Sequence, residues 1–472
     1  MKPARWAAVL GLALTGCVPP VLQRPESSPM NAMRPPAPAP PRPVRLPEIH
    51  EDRLPNGLRL YTLTQPEQPL IYLNLSLLGG RSVEQPEGAA DLVAQLLPEG
   101  TQKRSATELA HDIERLGAEL RASARPDAIS ISVSGLSRFA LELAAILAEV
   151  VLEPAFPEQE LERVRMQRLG QLEIARQQTS FLASLATTRL LFGSGHPYNR
   201  VTDEEALRSL RRDHLVEYWR RWFRPDNAFL IVAGDVRPEQ TRALAERFFG
   251  SWFAPPQPLP HPELPRQEPR AGLYLIHRAG AVQSTVRVAQ RGIAASDPDY
   301  VPLQVMNTLL GGYFGSRLNM NLRETKGYTY GAFSLLDARR LDGLWVASAE
   351  VRTEVTDSAL VEILAEIRRI REEPISAEEH RNVINYLAGS FVMDLETPAQ
   401  IASLVQDQLI LGLPRDFFAQ YRDRILEVSR EELLRVARRH LDPNRLLLIV
   451  AGDRERVRPL LERLGTVEEV RF

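Results

Sequence analysis

The hydrophobic positions along the chain repeat with two different periods, which predicts a mixture of strands and helices. Apolar residues fall at every second position in Ile71–Leu78 and Ile129–Leu136, as in half-buried strands. A turn signal at Leu54–Gly57 precedes a further predicted strand, Leu58–Leu63. Helical spacing of apolar residues predicts three helices in this part of the chain: Ala106–Leu116, Leu141–Leu152 and Leu161–Gln177. Runs of strands separated by runs of helices favour α+β layers over a parallel βαβ sheet.

Helix starts are also marked in the sequence. A Ser or Thr followed three residues later by Glu fits the capping box, in which each side chain satisfies a free N–H group at the start of a helix. Four pairs fit this pattern: Ser105/Glu108, Thr202/Glu205, Ser376/Glu379 and Ser429/Glu432.

Several short segments recur in the same order, which indicates an internal duplication. The segment Ile231–Asp235 (IVAGD) returns as Ile449–Asp453, an offset of 218 residues (449 minus 231). Each copy follows a long amphipathic segment and a Pro-Asx turn, Pro225-Asp226 in the first copy and Pro443-Asn444 in the second. The sequence therefore predicts two homologous halves.

Two proline-rich stretches divide the 472 residues. Val18–Glu48 holds 11 of the 37 prolines, and Ala254–Pro269 holds seven more. Such composition does not pack a core and is typical of extended tethers and linkers. The predicted organisation is a signal peptide at 1–16, a tether at 17–48, a first half at 49–253, a linker at 254–270 and a second half at 271–472.

The N-terminus has the features of a targeting segment. Lys2 and Arg5 precede the short apolar stretch Ala7–Leu14, and the four residues Leu14–Cys17 (LTGC) resemble the lipobox of bacterial lipoproteins. Cys17 is the only cysteine, so no intramolecular disulfide can form. We expect Cys17 to carry a lipid, with an ordinary cleaved signal as the alternative. Because Val18 rather than Asp follows Cys17, we expect anchoring in the outer membrane, facing the periplasm.

Overall charge excludes one broad class of function. The formal net charge is −2, without the basic excess expected of a general nucleic-acid binder. The glycines of Gly311–Gly315 lack the G-K-[ST] ending of a phosphate-binding P-loop.

A series of motifs from Leu54 onward resembles the insulinase/pitrilysin family of zinc peptidases. The matching pieces stand in the family's order: Leu54–Leu58, Gly79–Arg81, Gly88–Leu92, Glu99–Thr101, His196–Tyr198, Leu310–Gly312, Leu322–Glu324 and Gly327–Tyr330. The resemblance implies two homologous α+β halves, each an antiparallel sheet flanked by helices. It also implies a clamshell of two chains, or of four halves in one chain, around a peptide, with zinc on an inverted H-x-x-E-H motif of the first half.

The positions of that motif carry other residues here. Asp91, Ala94 and Gln95 stand where the family has its histidine, glutamate and histidine. The distant carboxylate ligand falls near Gly170-Gln171, and Glu173 lies on another helical face. No two of the eight histidines lie four residues apart: His50, His111, His196, His214, His261, His277, His380 and His440. We therefore predict no metal on this chain, although Asp91, or a site assembled from distant histidines, leaves metal binding open.

The resemblance assigns a different role to the second half. The family contributes an arginine and, seven residues later, a tyrosine toward the substrate, and Arg323 and Tyr330 match that spacing. Arg offers a rigid fork of donors to carbonyl or carboxylate groups, and a Tyr hydroxyl can donate to an oxyanion. The alternative is a surface Arg323 paired with Glu324 or Asp337 and a tyrosine packed in a strand; Tyr328 competes for the tyrosine role.

Three functional hypotheses follow. The first is a non-catalytic subunit whose Arg323 and Tyr330 complete the site of a homologous zinc-bearing partner in peptide hydrolysis, with a self-dimer as the other assembly. The second is a peptide-binding or scaffolding module that adds a strand to an exposed sheet edge such as Ile71–Leu78. The third is a self-sufficient peptidase with an unusual metal site.

Overall fold

A computed structural model describes residues 46–265 and 268–471. The predicted signal peptide, the lipidation site Cys17 and nearly all of the predicted tether lie outside these residues. Among the described residues, no helix combines the length and the apolar character needed to cross a membrane.

The described residues form strands and helices that alternate in groups. The strands are β1 Ile49–Arg53, β2 Arg59–Thr64, β3 Leu70–Leu78, β4 Glu119–Ala124, β5 Ala128–Leu136, β6 Ala228–Gly234, β7 Gly272–His277, β8 Gln283–Arg291, β9 Ala332–Ala338, β10 Gly343–Arg352, β11 Leu447–Gly452 and β12 Val467–Val470. The helices of the first half are α1 Ala89–Leu96, α2 Ala106–Arg115, α3 Ala140–Leu152, α4 Glu158–Arg176, α5 Thr179–Phe192, α6 Glu204–Ser209, α7 Arg212–Trp222 and α8 Pro238–Phe249. Those of the second half are α9 Tyr300–Asn307, α10 Arg317–Asn319, α11 Thr356–Glu372, α12 Ala377–Met393, α13 Pro398–Leu411, α14 Phe417–Glu427, α15 Arg430–His440 and α16 Arg454–Leu461.

The strands form two six-stranded sheets with corresponding orders. The first is β1-β2-β6-β3-β5-β4 and the second is β12-β7-β11-β8-β10-β9. The repeated IVAGD segments form the inner strands β6 and β11, which occupy the same place in the two orders. The predicted α+β class with two corresponding halves is confirmed.

Both sheets are mixed, which corrects the expectation of antiparallel sheets. β2 pairs with β6 in parallel, and β7 pairs in parallel with both β11 and β12. β6 is inserted between β2 and β3, which run in opposite directions, so β6 must be parallel to one of them. The same argument applies to β11 between β7 and β8.

The position of β3 rules out one version of the second hypothesis. Ile71–Leu78 lies within β3, which is hydrogen-bonded to β5 on one side and to β6 on the other. It has no free edge to which a peptide strand could be added. The edge strand next to β5 is β4, Glu119–Ala124.

Each half has its own core on one face of its sheet. Alternate residues of β3, from Ile71 to Leu77, are buried with α1 and α3. In the second half Val286 and Val288 of β8 are buried with Ile363 and Ile367 of α11. Burying one such aliphatic side chain contributes on the order of 2 kcal/mol.

The other face of each sheet is covered by a helix from the opposite half. Helix α5 of the first half packs on β8 and β11, where Ala183 and Ala186 permit close approach of the helix. Helix α13 of the second half packs on β3 and β6, where Ile401 and Val405 are buried with first-half residues such as Phe229. The halves are therefore interlocked by a reciprocal exchange of helices.

Candidate functional site

Helix α1 carries the positions of the degenerate metal motif, and its start is tightly held. Gly88 precedes the helix with φ of 87°, and a Cβ there would lie 2.7 Å from the Thr202 side chain. One carboxylate oxygen of the buried Glu84 accepts the Ala90 N–H at 3.0 Å, while its other oxygen, Oε1, has no partner. Burial raises the pKa of Glu84 to about 7, although backbone N–H groups favour its charged form.

Asp91 is held by two arginines instead of a metal. Arg81 Nη1 lies 3.6 Å from Asp91 Oδ1, and Arg168 Nη2 lies 4.0 Å from Asp91 Oδ2. Ala94 is buried and offers no polar atom, and the half-buried Gln95 offers only an amide. The three predicted motif positions thus lie on one short helix with a single carboxylate between two guanidinium groups.

This donor set does not fit zinc. A protein zinc site uses three or four Cys, His or carboxylate ligands around the ion, and Asp91 alone supplies one. Helix α4 does not supply the distant ligand either, because Gly170, Gln171 and Glu173 are all exposed, whereas Arg168 approaches Asp91. A divalent cation here would also be repelled by Arg81 and Arg168.

One other cluster in the described chain has metal-ligand chemistry: Asp297, Asp299 and His440. Asp299 already accepts from Arg435 at 2.7 Å and from His440 at 2.7 Å, and these partners lower its pKa to about 2. Arg439 adds a second guanidinium contact at 3.1 Å. Its charge is therefore neutralised by side chains, and the cluster is an ion-pair network. Sequence reasoning missed this network because Asp299 and His440 are 141 residues apart.

Arg323 lies on a π-helical turn, Met320–Thr325, that is anchored to α11. The Asn321 side-chain amide donates to Glu362 at 3.0 Å and to the buried Glu366 at 2.8 Å. Lys326 adds an ion pair to Glu362 at 2.7 Å. Such π-helical turns are rare and are frequent at functional sites.

The side chain of Arg323 points along the surface of the second half. Its guanidinium lies over the Phe314 ring at 4.8 Å, and its Nε lies 3.3 Å from Glu324. The Glu324 pairing matches part of the surface alternative raised by the sequence. This pair is solvent-exposed on both sides, so it holds Arg323 weakly.

The two candidate tyrosines are placed differently. Tyr328 is half-buried and packs against the core of the second half. Tyr330 lies in the segment just before β9 and is 92% exposed. Phe314 and Met320 are exposed as well, at 63% and 44%. Asp91 and Tyr330 belong to different halves, and no described hydrogen bond or ion pair connects their surroundings.

The loop containing His196 joins the halves. His196 lies in this loop and is fully buried. Its Nδ1 accepts the Tyr198 N–H at 3.0 Å, and its Nε2 lies 3.2 Å from Asp342 of the second half. Arg291 donates to the same carboxylate at 2.5 Å. The segment His196–Tyr198, which matches a family motif, therefore connects the two halves through hydrogen bonds in this chain.

Comparison with known proteins identifies the family. The insulinase domain (peptidase family M16) matches residues 61–190, and the domain described as the M16 peptidase inactive domain matches residues 209–387. The chain belongs to the insulinase family. The first match contains Asp91 and Gln95, and the second contains Arg323 and Tyr330.

Insulinase-family relatives cover nearly the whole described region. An uncharacterized zinc protease, YmxG, of Bacillus subtilis is 23% identical over 368 residues, 76% of this chain and 87% of that protein. A protein named non-peptidase homolog YmxG, of Helicobacter pylori, is 22% identical and covers 82% of this chain and 90% of its own length. The crystal structure of a peptidase M16 inactive domain from Pseudomonas fluorescens has a TM-score of 0.80 at 25% identity, covering 86% of this chain and 98% of that one.

Proposed function

We propose that this insulinase-family chain is the non-catalytic subunit of a heterodimeric metallopeptidase. It would supply Arg323 and Tyr330 to the active site of a homologous, zinc-bearing partner that hydrolyses peptides. The observation that carries the proposal is an asymmetry between the halves. The motif helix holds Asp91 between two arginines, while Tyr330 is exposed and forms no hydrogen bond within the described part of the chain.

The chemistry of the two side chains supports this role. The Arg323 guanidinium can donate two parallel hydrogen bonds to a peptide carbonyl or carboxylate. The Tyr330 hydroxyl can donate to an oxyanion that forms when a peptide bond is attacked. The anchoring of the Met320–Thr325 turn to Glu362 and Glu366 limits the motion of Arg323, which lowers the entropic cost of such contacts.

We further propose that the subunit is attached to the membrane through a lipid on Cys17, most simply in the outer membrane facing the periplasm. The support is the lipobox-like sequence ending at Cys17, followed by Val18. Metabolic labelling with a fatty-acid analogue tests this part: wild type should be labelled and Cys17→Ala should not. Equal labelling of both proteins contradicts it.

The central experiment compares the chain alone, a zinc-bearing homologue alone, and their mixture on a fluorescence-quenched peptide library. We expect hydrolysis only in the mixture. Arg323→Ala or Tyr330→Phe should lower the rate by roughly a hundredfold, the usual effect of losing one such donor. Arg323→Lys should restore little of the rate, since Lys lacks the planar fork.

The matched control is Arg381→Ala, which removes an exposed arginine of α12 that forms no ion pair in the described structure. It should leave the rate of the mixture unchanged. Full activity of the lone chain, or a mixture insensitive to both Arg323 and Tyr330, contradicts the proposal.

The second candidate is a peptide-binding module without hydrolysis. It is favoured by the edge strand β4, which is hydrogen-bonded to β5 on one side only and exposes alternate residues Glu119, Arg121 and Ser123. This second candidate would be supported if the mixture with the zinc-bearing homologue hydrolysed no peptide while the chain alone bound peptides.

A further inference from the structure

Arg287 of the second sheet has no hydrogen-bond or ion-pair partner among the described residues. Arg287 lies on β8, an inner strand, opposite Ile449 of β11 and Ser348 of β10. Its Nε–H group is buried and has no acceptor. Among the described residues, the Arg287 side chain forms neither a hydrogen bond nor an ion pair. Burial lowers the pKa of Arg287, and the charge of Glu350, two positions along β10 from Ser348, opposes that shift without forming an ion pair with the guanidinium. A half-buried cation without an acceptor is costly to the fold.

The equivalent position in the first half is satisfied. Asn74 of β3 lies opposite Ile231 and Ser132, as Arg287 lies opposite Ile449 and Ser348. Asn74 donates to the Tyr72 hydroxyl at 3.2 Å and accepts from Ser76 at 2.8 Å. The duplicated fold therefore does not itself require an unpaired group at this position.

The face of the sheet around Arg287 is covered by a helix on one side and ends in an exposed apolar edge on the other, with the buried Ser348 between Arg287 and that edge. Helix α5 covers this face over β8 and β11, where Thr179 meets Thr285 at 2.9 Å. Beyond the helix, on the same face, the edge strand β9 presents Phe333 and Leu335 at 48% and 49% exposure. Phe333 lies opposite Ser348, so it is two strands from Arg287, roughly 10 Å at the usual strand spacing.

The edge of the first sheet shows that this apolar strip is not a general feature of the fold. Opposite Ser132 the first sheet has Arg121, which pairs with Glu119. The second sheet has an unpaired cation inside and apolar side chains at the edge, whereas the first has a satisfied amide inside and paired charges at the edge.

We propose that Arg287, Phe333 and Leu335 form a binding subsite for an extended peptide segment that carries a carboxylate next to apolar side chains. The carboxylate pairs with Arg287, and the apolar side chains cover Phe333 and Leu335. Tyr330 lies three residues before Phe333, so the subsite continues the surface proposed to face substrate. A segment of about six residues spans the distance from Tyr330 to Arg287 at about 3.3 Å per residue.

The edge of β9 limits how such a peptide binds. The Ala332 N–H is already donated to Asn319, and the Ser334 carbonyl accepts from Asn307. A Cβ on Gly311 would lie 2.2 Å from Ser334 N, so the chain at Gly311 closely covers this edge. The peptide therefore lies on the face of the sheet and does not add a strand to it.

The inference rests on the proposed function for the idea that the ligand is a substrate peptide, but its test does not require the partner subunit. Fluorescence anisotropy with the lone full-length chain would compare two labelled seven-residue peptides, acetylated and amidated, with leucine and phenylalanine flanking a central Glu or Gln. We expect the Glu peptide to bind about tenfold more tightly than the Gln peptide. A third probe, the Gln peptide with a free C-terminal carboxylate, distinguishes a terminal carboxylate from a side-chain carboxylate as the group to which Arg287 donates.

Variants of the chain locate the effect. Arg287→Met, which keeps the length and apolar stem, should abolish the preference for the Glu peptide, and Arg287→Lys should keep part of it. Phe333→Ser should weaken both peptides alike. Arg430→Met is the matched control, since this exposed arginine begins α15 in the layer of helices on the opposite face of the sheet.

Thermal unfolding separates a binding role from a structural one. Because Arg287 is unpaired, Arg287→Met should melt at the same temperature as wild type or higher. A wild-type chain that prefers neither the Glu peptide nor the free-carboxylate peptide over the amidated Gln peptide overturns the inference, as does a preference that survives in Arg287→Met. If the chain prefers the carboxylate peptide but the mixture with the zinc-bearing homologue is inactive, the subsite stands and the proposed subunit role is contradicted. If the mixture is active but the chain shows no carboxylate preference, the subunit role stands and the subsite is contradicted.

Discussion

At the scale of single residues, the helix that matches the family's metal-motif helix carries an ion-pair site. Asp91 stands at the first histidine position of the motif, and Arg81 and Arg168 lie near its carboxylate. The sequence was sufficient to predict the missing ligands at Asp91, Ala94 and Gln95. It gave no sign of Arg168, because residues 91 and 168 meet only when α1 and α4 pack together.

Restoring the motif alone should therefore not restore metal binding. The triple variant Asp91→His, Ala94→Glu, Gln95→His keeps Arg168 beside the site and lacks a third ligand from α4. We expect zinc binding, measured by isothermal titration calorimetry, to be at least tenfold tighter when Arg168→Glu is added. Equal affinity of the triple and fourfold variants would show that residue 168 does not influence zinc binding on α1.

Glu84 makes stability depend on pH. Its folded pKa of about 7 is raised from 4.5, so the folded chain holds a proton that the unfolded chain releases between these values. Stability due to this group is therefore present below about pH 4.5 and is lost as pH rises through about 7. The free energy of unfolding of Glu84→Gln, measured relative to that of wild type, should therefore be higher at pH 8 than at pH 5 by about 2 kcal/mol.

Urea unfolding at the two pH values measures this difference. Glu114→Gln, at an exposed glutamate of α2 without an ion pair in the described structure, is the control and should show no such pH dependence. A pH-independent effect of Glu84→Gln would mean that Glu84 is charged in the folded chain at both pH values.

At the scale of elements, local sequence patterns predicted helices, strands and helix caps correctly where the interacting residues are close together in the chain. Predicted helix Leu161–Gln177 corresponds to α4, Glu158–Arg176, and predicted strand Ile71–Leu78 to β3, Leu70–Leu78. The capping boxes at Ser105 and Ser376 are confirmed, and Ser429 caps α15. The Thr202/Glu205 prediction was wrong: Asp203 accepts the Ala206 N–H and starts α6 instead.

The turn that carries Arg323 is held by contacts of Asn321 with Glu362 and Glu366 of α11, and no local sequence pattern predicts these contacts. Asn321→Ala removes the donor shared by Glu362 and Glu366, leaving the buried Glu366 with fewer partners. We expect a loss of about 1–3 kcal/mol in the free energy of unfolding, measured by urea titration. We also expect lower activity in the mixture with the zinc-bearing homologue. The exposed Glu324→Gln should change stability by less than about 0.5 kcal/mol. An unaffected Asn321→Ala chain would show that the turn is held by other contacts.

At the scale of the whole molecule, the exchange of α5 and α13 makes the halves mutually dependent. Without α13, the first sheet would expose Phe229, Ile231 and their neighbours on a large apolar face. The buried contact of His196 with Asp342 adds a polar link between the halves. The two halves are related by duplication, yet each half by itself would leave one apolar face of its sheet uncovered.

We therefore expect the halves to fold together. Fragments 46–258 and 259–472, divided within the predicted linker, should be insoluble when expressed separately and should copurify when coexpressed. Size-exclusion chromatography and calorimetry would show a 1:1 complex with a single transition. Val405→Glu, a charge placed in the α13 contact, should weaken copurification, while the exposed Glu396→Gln should not. A soluble, cooperatively folded first fragment would contradict this dependence.

The sequence by itself determined the periodicities, the duplication, the family resemblance and the residue types at the three motif positions, Asp91, Ala94 and Gln95. Each of these depends on residue types at short or regular spacing, which remain visible without folding. Tertiary structure alone decided four other properties: the parallel neighbours within each sheet, the central place of β3, the exchanged helices, and the unpaired state of Arg287. These depend on which distant segments meet, and the free energy of such contacts comes from burial and charge pairing between residues that can be more than a hundred positions apart.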